Sequence, residues 1–477
     1  MARRDRPSRP RGRWRRRAFL WLPVLLVVAL LGGAAAAYHY DLGTRWFGAA
    51  PDATPPVPAV SPVPGLTLPA VPTPRPVARP APSGRPTPGA VRRALTPELD
   101  DPDLAVLRGV VAPLSGSPVL LEGRGLAMPA STLKILTAAA ALDVLGPDHT
   151  FATTVVAGGR ARLTLVGGGD PFLAAKRPTG RGAPTDASLQ ALASQSVRDL
   201  RSRGIRSVTL SYDTSLFTGP ELSPTWPASY VTDNEVSPIT ALWADQGIAP
   251  GGASREADPA ASAAAQFASF LGKGGIRVTG SVRERPAPAG AREVARVTSR
   301  PLAQIVEQVL LVSDNEGAEV LGHQTGLAVN GHGSFAGGAA AVRQTLSGLG
   351  VDLSSARIYD GSGLSRRDRL PAQSLVSVLQ LASSPDHPVL RPVVTGLPVA
   401  AYDGSLADRF DESPGRGWVR AKTGTLRGTS ALAGLVTDAR GRVLVFAFLS
   451  NRIKPVDIPD APSALDDLAA ALATCEC

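Results

Sequence analysis

Cysteine is nearly absent from this chain of 477 residues: Cys475 and Cys477, in the closing TCEC, are the only two. A disulfide framework across the folded part is excluded, and two thiols alone cannot bind zinc. Histidine is scarce too. The five, at positions 39, 149, 323, 332 and 387, show no H-E-x-x-H or comparable spacing, so no metal is expected. The chain also lacks a G-x-S-x-G elbow, a phosphate loop and a dinucleotide fingerprint. No cofactor is expected.

Positive charge is missing from most of the chain despite a net charge of +10. Residues 1–17, MARRDRPSRPRGRWRRR, hold nine arginines against one aspartate, which leaves only +2 for the other 460 residues. The high pI therefore reports a tail, and no nucleic-acid partner is expected. The next segment, 18–38, AFLWLPVLLVVALLGGAAAAY, carries no charge and is long enough to cross a bilayer. Arginines before it place the preceding tail in the cytoplasm and the rest of the chain outside. The expectation is a single-pass anchor in the cell membrane; a cleaved signal peptide, leaving a secreted protein, is the alternative.

What is abundant comes next. Residues 39–95 form a linker, with proline at roughly every third position from Pro51 to Pro88, as in PPVPAVSPVPG. Such a stretch builds no core and extends as a semi-rigid spacer. After it, a helix is expected over about 97–111 and a strand in SPVLLEG. From about 151 to 297 the texture is short strands with Gly-rich turns, as in TTVVAGG, ARLTLVGGGD and IRSVTLSYD. Helices then follow Pro301 and Asn315. Near the end, GWVRAKTGT, SALAGLVTD and RVLVFAFLS read as consecutive antiparallel strands before a last helix over about 461–473.

One helix stands out. MPASTLKILTAAAAL is apolar all round, yet holds Lys134 in its first turn. Burying an unpaired ammonium costs several kcal/mol, roughly 2–7 even for a neutral polar group. Ser131 lies three residues earlier, on the same face. A desolvated lysine there can take a proton from the serine hydroxyl. Alone, the pair also fits a capping serine and a snorkelling lysine. Two further motifs follow in order: Ser313-Asp314-Asn315 at a helix end, and Lys422-Thr423-Gly424 on the first C-terminal strand. The ordered set is the one found in class A β-lactamases and penicillin-binding proteins. Its chemistry assigns Ser131 as nucleophile, Lys134 as base, Ser313 as proton relay and Asn315 as a holder of Lys134 and of substrate backbone. Lys422 and Thr423 suit a substrate carboxylate. Gly424 lets substrate lie close, and the backbone N–H groups of Ser131 and Thr425 suit an oxyanion.

The flanks PASTLK, VGGGDP, YDTSLFTGP, WPASY, YDGSGLSR, LPVAAYDGSLADRF and AKTGTLRGTSALAG resemble the D-alanyl-D-alanine carboxypeptidase/endopeptidase family of class C low-molecular-mass penicillin-binding proteins, over about 125–455. The resemblance implies an α/β (α+β) serine DD-peptidase fold, with a five-stranded antiparallel sheet flanked by helices. The catalytic domain would comprise 96–150 and 298–477, with an inserted module at 151–297 and one transmembrane helix before it. It implies action on peptidoglycan peptides ending in D-Ala-D-Ala, acylation of Ser131, and β-lactam antibiotics as ligands. Alternatives are a β-lactamase, for which no deacylating loop is visible, and a catalytically idle wall-binding scaffold. In YDGSGLSR, Ser362 and Arg366 suit a peptide side chain or carboxylate, or form a Gly-rich turn with a solvated arginine. Asp170 and Asp314 read as turn residues. Glu316 and Glu319 read as a solvated or structurally paired helix face. The segment before Ser131 looks shorter than the family's usual strand pair.

Overall fold

A computed structural model describes residues 84–177 and 187–477. The basic tail 1–17, the apolar run 18–38 and linker residues 39–83 lie outside them. Among the described residues, no helix is long and apolar enough to cross a membrane.

The first element of the described residues is α1, Pro88–Leu99. Thr87 caps it, its hydroxyl accepting from Ala90 N, and Pro88 opens it where a missing N–H is harmless. The helix expected over 97–111 is therefore displaced. The β-branched run that follows pairs instead as strand β1, Val106–Pro113, with β2, Leu120–Glu122, beside it. Assigning that run to a helix is what made the strand pair before Ser131 look short.

Three more strands complete the sheet: β9 (Val419–Leu426), β10 (Thr429–Thr437) and β11 (Val443–Asn451). The order is β2-β1-β11-β10-β9, antiparallel throughout, with β9 at one edge. Period-2 alternation sorts the side chains into two cores. Ala431, Ala433, Val445, Ala447 and Leu449 face one layer of helices. That layer holds α2 (Lys134–Leu145), α5 (Leu302–Val312), α6 (Asn315–Asn330), α7 (Phe335–Gly348) and α8 (Ala372–Ser383). Leu432, Leu444, Phe446 and Phe448 face the other layer, α1 and the C-terminal α10 (Ala461–Thr474). Cys475 and Cys477 are disulfide-bonded to each other at the end of α10 and are buried.

The long stretch between the first two motifs builds a second, mixed sheet. Strands β3 (Ala152–Gly159), β4 (Arg162–Val166), β5 (Ser207–Asp213) and β8 (Arg292–Thr298) carry it, with the two-residue β6 and β7. Helices α3 (Leu189–Ser202) and α4 (Pro259–Lys273) cover one face. A long loop from β5 to α4 crosses back to the first sheet's helices. It buries Trp226, Tyr230, Val236, Ile239 and Trp243 against Val320, Phe335 and Leu364.

Candidate active site

Ser131 sits on a single 3-10 turn, 130–133, that leads into α2, rather than on the α-helix itself. Ala130, just before it, has φ +47°, a left-handed conformation costly for a residue with a Cβ. Two glycines hold the turn in place. A Cβ on Gly363 would lie 2.0 Å from the Ala130 carbonyl oxygen, and one on Gly424 would lie 2.9 Å from that of Pro129. Close backbone approach at these points means that any side chain there forces the turn to shift.

Lys134 begins α2 and is completely buried. Its Nζ lies 3.0 Å from Ser131 Oγ, 2.8 Å from Asn315 Oδ1 and 2.9 Å from the Ser362 carbonyl oxygen. Burial drives its pKa down to about 8, against the opposing pull of Glu319, Asp314, Asp360 and Glu316. The minor neutral fraction this leaves near neutrality, with its lone pair beside a hydroxyl, can accept the hydroxyl proton.

The second motif is the junction between two helices. Ser313 ends α5 in a left-handed conformation, φ +61°. Its hydroxyl makes no hydrogen bond to Ser131, Lys134 or Asn315 among the described residues. Asp314 caps α6, accepting from Gly317 N at 2.7 Å, the turn role its sequence suggests. The loop 234–256 then grips three consecutive residues. Gln246 Nε2 donates to both Asp314 oxygens, at 2.9 and 2.7 Å. Asn315 Nδ2 donates to the Glu235 carbonyl at 2.8 Å. Glu316 accepts from Ser237 N at 3.0 Å and pairs with Arg255 at 2.9 Å.

Lys422, also fully buried, projects from β9 and donates to its neighbour's carbonyl, Thr423 O, at 3.0 Å. Among the described residues no carboxylate pairs with it. Burial, then the charges of Lys134 and Arg409, push its pKa well below the ordinary lysine value. An arriving carboxylate would restore the ammonium. The Thr423 hydroxyl lies 2.9 Å from that of Ser405. A Cβ on Gly424 would sit 3.1 Å from Ser131 N, so edge strand β9 runs alongside the serine turn. Thr425 follows, opposite Ser430 of β10.

Ser131, Lys134 and Asn315 are thus brought into direct contact, with Lys422 close enough to feel the charge of Lys134. Ser362 joins through its carbonyl; its hydroxyl turns inward and accepts from Leu364 N at 3.3 Å. Arg366 is exposed, with its charge near the Tyr230 hydroxyl, which donates to the Leu364 carbonyl at 3.4 Å. Asp170 makes the expected turn bond, accepting from Phe172 N at 2.9 Å. Glu316 and Glu319 are not solvated: both are buried and paired, as is Asp360, and the half-buried Arg255 pairs with Glu316; motif reading passes over these last two, Asp360 and Arg255. The available signal was two carboxylates three apart in the otherwise small and apolar NEGAEVLG directly after the second motif.

The sheet, its two helical layers and the order of the three motifs define a serine DD-peptidase of the low-molecular-mass penicillin-binding class. The chain belongs to the D-Ala-D-Ala carboxypeptidase 3 (S13) family, which matches residues 91–251 and 249–472. It is a serine-type D-Ala-D-Ala carboxypeptidase. A carboxypeptidase of Mycobacterium tuberculosis is 38% identical over 81% of this chain and 84% of the relative. Carboxypeptidase DacB of Mycolicibacterium smegmatis is 36% identical over 98% and 99%. The fold is also that of penicillin-binding protein 4 from Haemophilus influenzae, with TM-score 0.66 and 21% identity over 80% of this chain and 99% of that one.

Proposed function

We propose that Ser131 attacks the carbonyl of the terminal D-Ala-D-Ala bond of a peptidoglycan stem peptide. Neutral Lys134 takes the hydroxyl proton as the Oγ–C bond forms, and the carbonyl electron pair moves onto oxygen beside the N–H groups of Ser131 and Thr425. Collapse breaks the C–N bond. The proton passes from Lys134 through the Ser313 hydroxyl to the leaving amine, releasing D-alanine and an ester on Ser131. Water attacks the ester, gives its proton to Lys134, and Ser131 leaves with that proton restored. Asn315 steadies Lys134 and substrate backbone. Lys422 and Thr423 receive the terminal carboxylate, and Gly424 leaves room for the extended peptide along β9. Arg366 meets a more distant side chain or carboxylate, and Ser362 contributes its carbonyl.

The observation that carries this reading is the fully buried Lys134 amine, 3.0 Å from Ser131 Oγ and 2.8 Å from Asn315 Oδ1. A β-lactam presents a similar carboxylate and carbonyl, and a structure of the Haemophilus influenzae protein holds a novel β-lactam. Fluorescent penicillin should label Ser131, and Ser131→Ala should abolish both labelling and D-alanine release. A label on another residue, or release that survives the substitution, rejects the assignment.

The uncharged run 18–38 behind nine arginines supports a single-pass anchor in the cell membrane, with the catalytic domain outside the cytoplasm. The proline-rich stretch supports a spacer. From Pro51 up to the cap of α1 at Thr87, at ~3.1 Å per residue, it reaches on the order of 110 Å, enough to hold the enzyme out towards the wall. Loss of membrane association on deleting 18–38 is the expected outcome. Unchanged fractionation would reject the anchor.

A further inference from the structure

Glu319 is one of the most deeply buried carboxyl groups of the protein, one turn along α6 from Asn315, and the reaction just described gives it no task. Its two oxygens are both engaged. Oε2 accepts from Gly361 N at 2.9 Å and Oε1 from Ser362 N at 2.8 Å. The carbonyl of Ser362 in turn accepts from Lys134 Nζ at 2.9 Å. The same short loop is held from two other sides. Thr137, on α2, donates its hydroxyl to the Gly361 carbonyl at 2.7 Å. Asp360 accepts from Gly363 N, Ser365 N and Trp226 Nε1. Gly361 is obligatory here, because a Cβ would lie 2.7 Å from the Ala318 carbonyl and 3.3 Å from Glu319 Oε2.

We infer that Glu319 is a positioning residue for Lys134: its carboxylate pins the Gly361–Ser362 backbone, and so holds the Ser362 carbonyl against the amine. The inference rests on Lys134 acting as the base towards Ser131. A carboxylate accepting two backbone N–H groups is fixed in both position and direction, which a neutral side chain of the same shape cannot reproduce. Without that anchor the Ser362 carbonyl drifts, and Lys134 loses one of the two acceptors that aim its lone pair at Ser131.

The charge has a second effect. Glu319 leads the carboxylates that favour the protonated form of Lys134, ahead of Asp314, Asp360 and Glu316. On the far side stands Lys422, which Lys134 disfavours when charged. Glu319 itself faces Asp360 and stands near Asp368. Burial and then Asp360 push it up to about 8. His323, whose Nδ1 meets the Glu319 carbonyl, stays neutral because burial lowers its pKa. Because Glu319 and Lys134 both titrate at about 8, Glu319 carries its charge only over the upper part of that range, and its removal lowers the pH at which Lys134 becomes a free base by less than a fully ionised neighbour would.

The test is the pH profile of single-turnover acylation by fluorescent penicillin in the full chain. Glu319→Gln should move the acid limb to lower pH, by a fraction of a unit because Glu319 is itself largely protonated on the acid side of the limb. Above the limb its rate should fall on the order of tenfold or more, through misplacement of the base. Glu319→Asp, which keeps the charge on a shorter stem, should leave the limb in place while slowing the rate above it. A Gln variant with an unmoved limb and a rate within about twofold of the parent makes Glu319 mere scaffold. If the Gln variant fails to fold, the Asp variant decides, and an unslowed rate there overturns the inference. A parent protein that labels on Ser131 with no acid limb would instead overturn the role of Lys134.

Discussion

Arg255 and Glu316 form an ion pair at 2.9 Å with side chains only 14% and 5% exposed, joining the loop after β5 to the first turn of α6. The next residue back from Glu316 is Asn315, whose amide touches Lys134. Burial and Asp314 push the Glu316 pKa up to about 7, and Arg255 is the charge that opposes them.

Arg255→Met strands that carboxylate, and loss of one partner of a buried pair costs about 3–5 kcal/mol. The expected result is a matching drop in urea-unfolding stability together with slower penicillin acylation. The double variant Arg255→Met/Glu316→Gln should recover much of the loss. A single variant within about 1 kcal/mol of the parent would show that the pair holds nothing.

Lys422→Ala should reduce D-alanine release by on the order of 100-fold or more, because its partner arrives with the substrate. Folding should suffer less, since no carboxylate of the described residues depends on it. Steady-state kinetics beside a thermal melt separates the two. A collapsed midpoint with normal activity per folded molecule would make Lys422 structural.

Gly424→Ala pushes a methyl group to within 2.9 Å of the Pro129 carbonyl and 3.1 Å of Ser131 N. The serine turn must shift, so acylation should slow by about tenfold. Hydrogen exchange in α2, behind the turn, should stay as in the parent. An acylation rate equal to the parent's would mean that β9 can move aside freely.

His323 is buried between Phe217 and Phe335, and burial lowers its pKa to about 4 from 6.5. The folded state resists protonation that the unfolded state accepts. The neutral histidine therefore contributes stability above pH 6.5 that is lost as pH falls towards 4, about 3 kcal/mol in all. The stability advantage of the parent over His323→Gln should shrink across that window. A difference independent of pH would mean that the ring is not desolvated. Glu316 and Glu319 act in the opposite sense, so the comparison between the two proteins is the informative quantity.

The motif order and the last three strands were legible in the sequence because each rests on local signals: alternation, turn glycines and fixed spacing; the five-stranded sheet was expected from the family resemblance. Val106–Pro113 was not, because its pairing with β11 is a contact across more than 300 residues, and isolated propensity cannot see a partner that far away. For Glu319 and Glu316 the sequence left a solvated and a structurally paired face open, and the structure shows the paired one, for a related reason. Charge argues for exposure, and only the returning loops 234–256 and 361–365 supply the backbone N–H groups that bury them. The Ser362 contribution was hidden differently: a carbonyl oxygen belongs to every residue and leaves no mark in the sequence.

Thr87 N donates to the Cys477 carbonyl at 3.0 Å, and α1 packs beside α10 in the core on that face of the sheet. The entry and exit of the folded body are therefore neighbours, in the layer on the far side of the sheet from α2. Mechanically, a pull applied between residue 84 and the C-terminus loads that helical seam first. The strands that carry Lys422, and the turn that carries Ser131, lie off the load path. Tension reaching the body through its leading segment would loosen a corner before it strained the catalytic groups. In a force-extension experiment the first event should release α1 alone, with penicillin labelling intact; labelling lost at that event would place the seam in series with the active site.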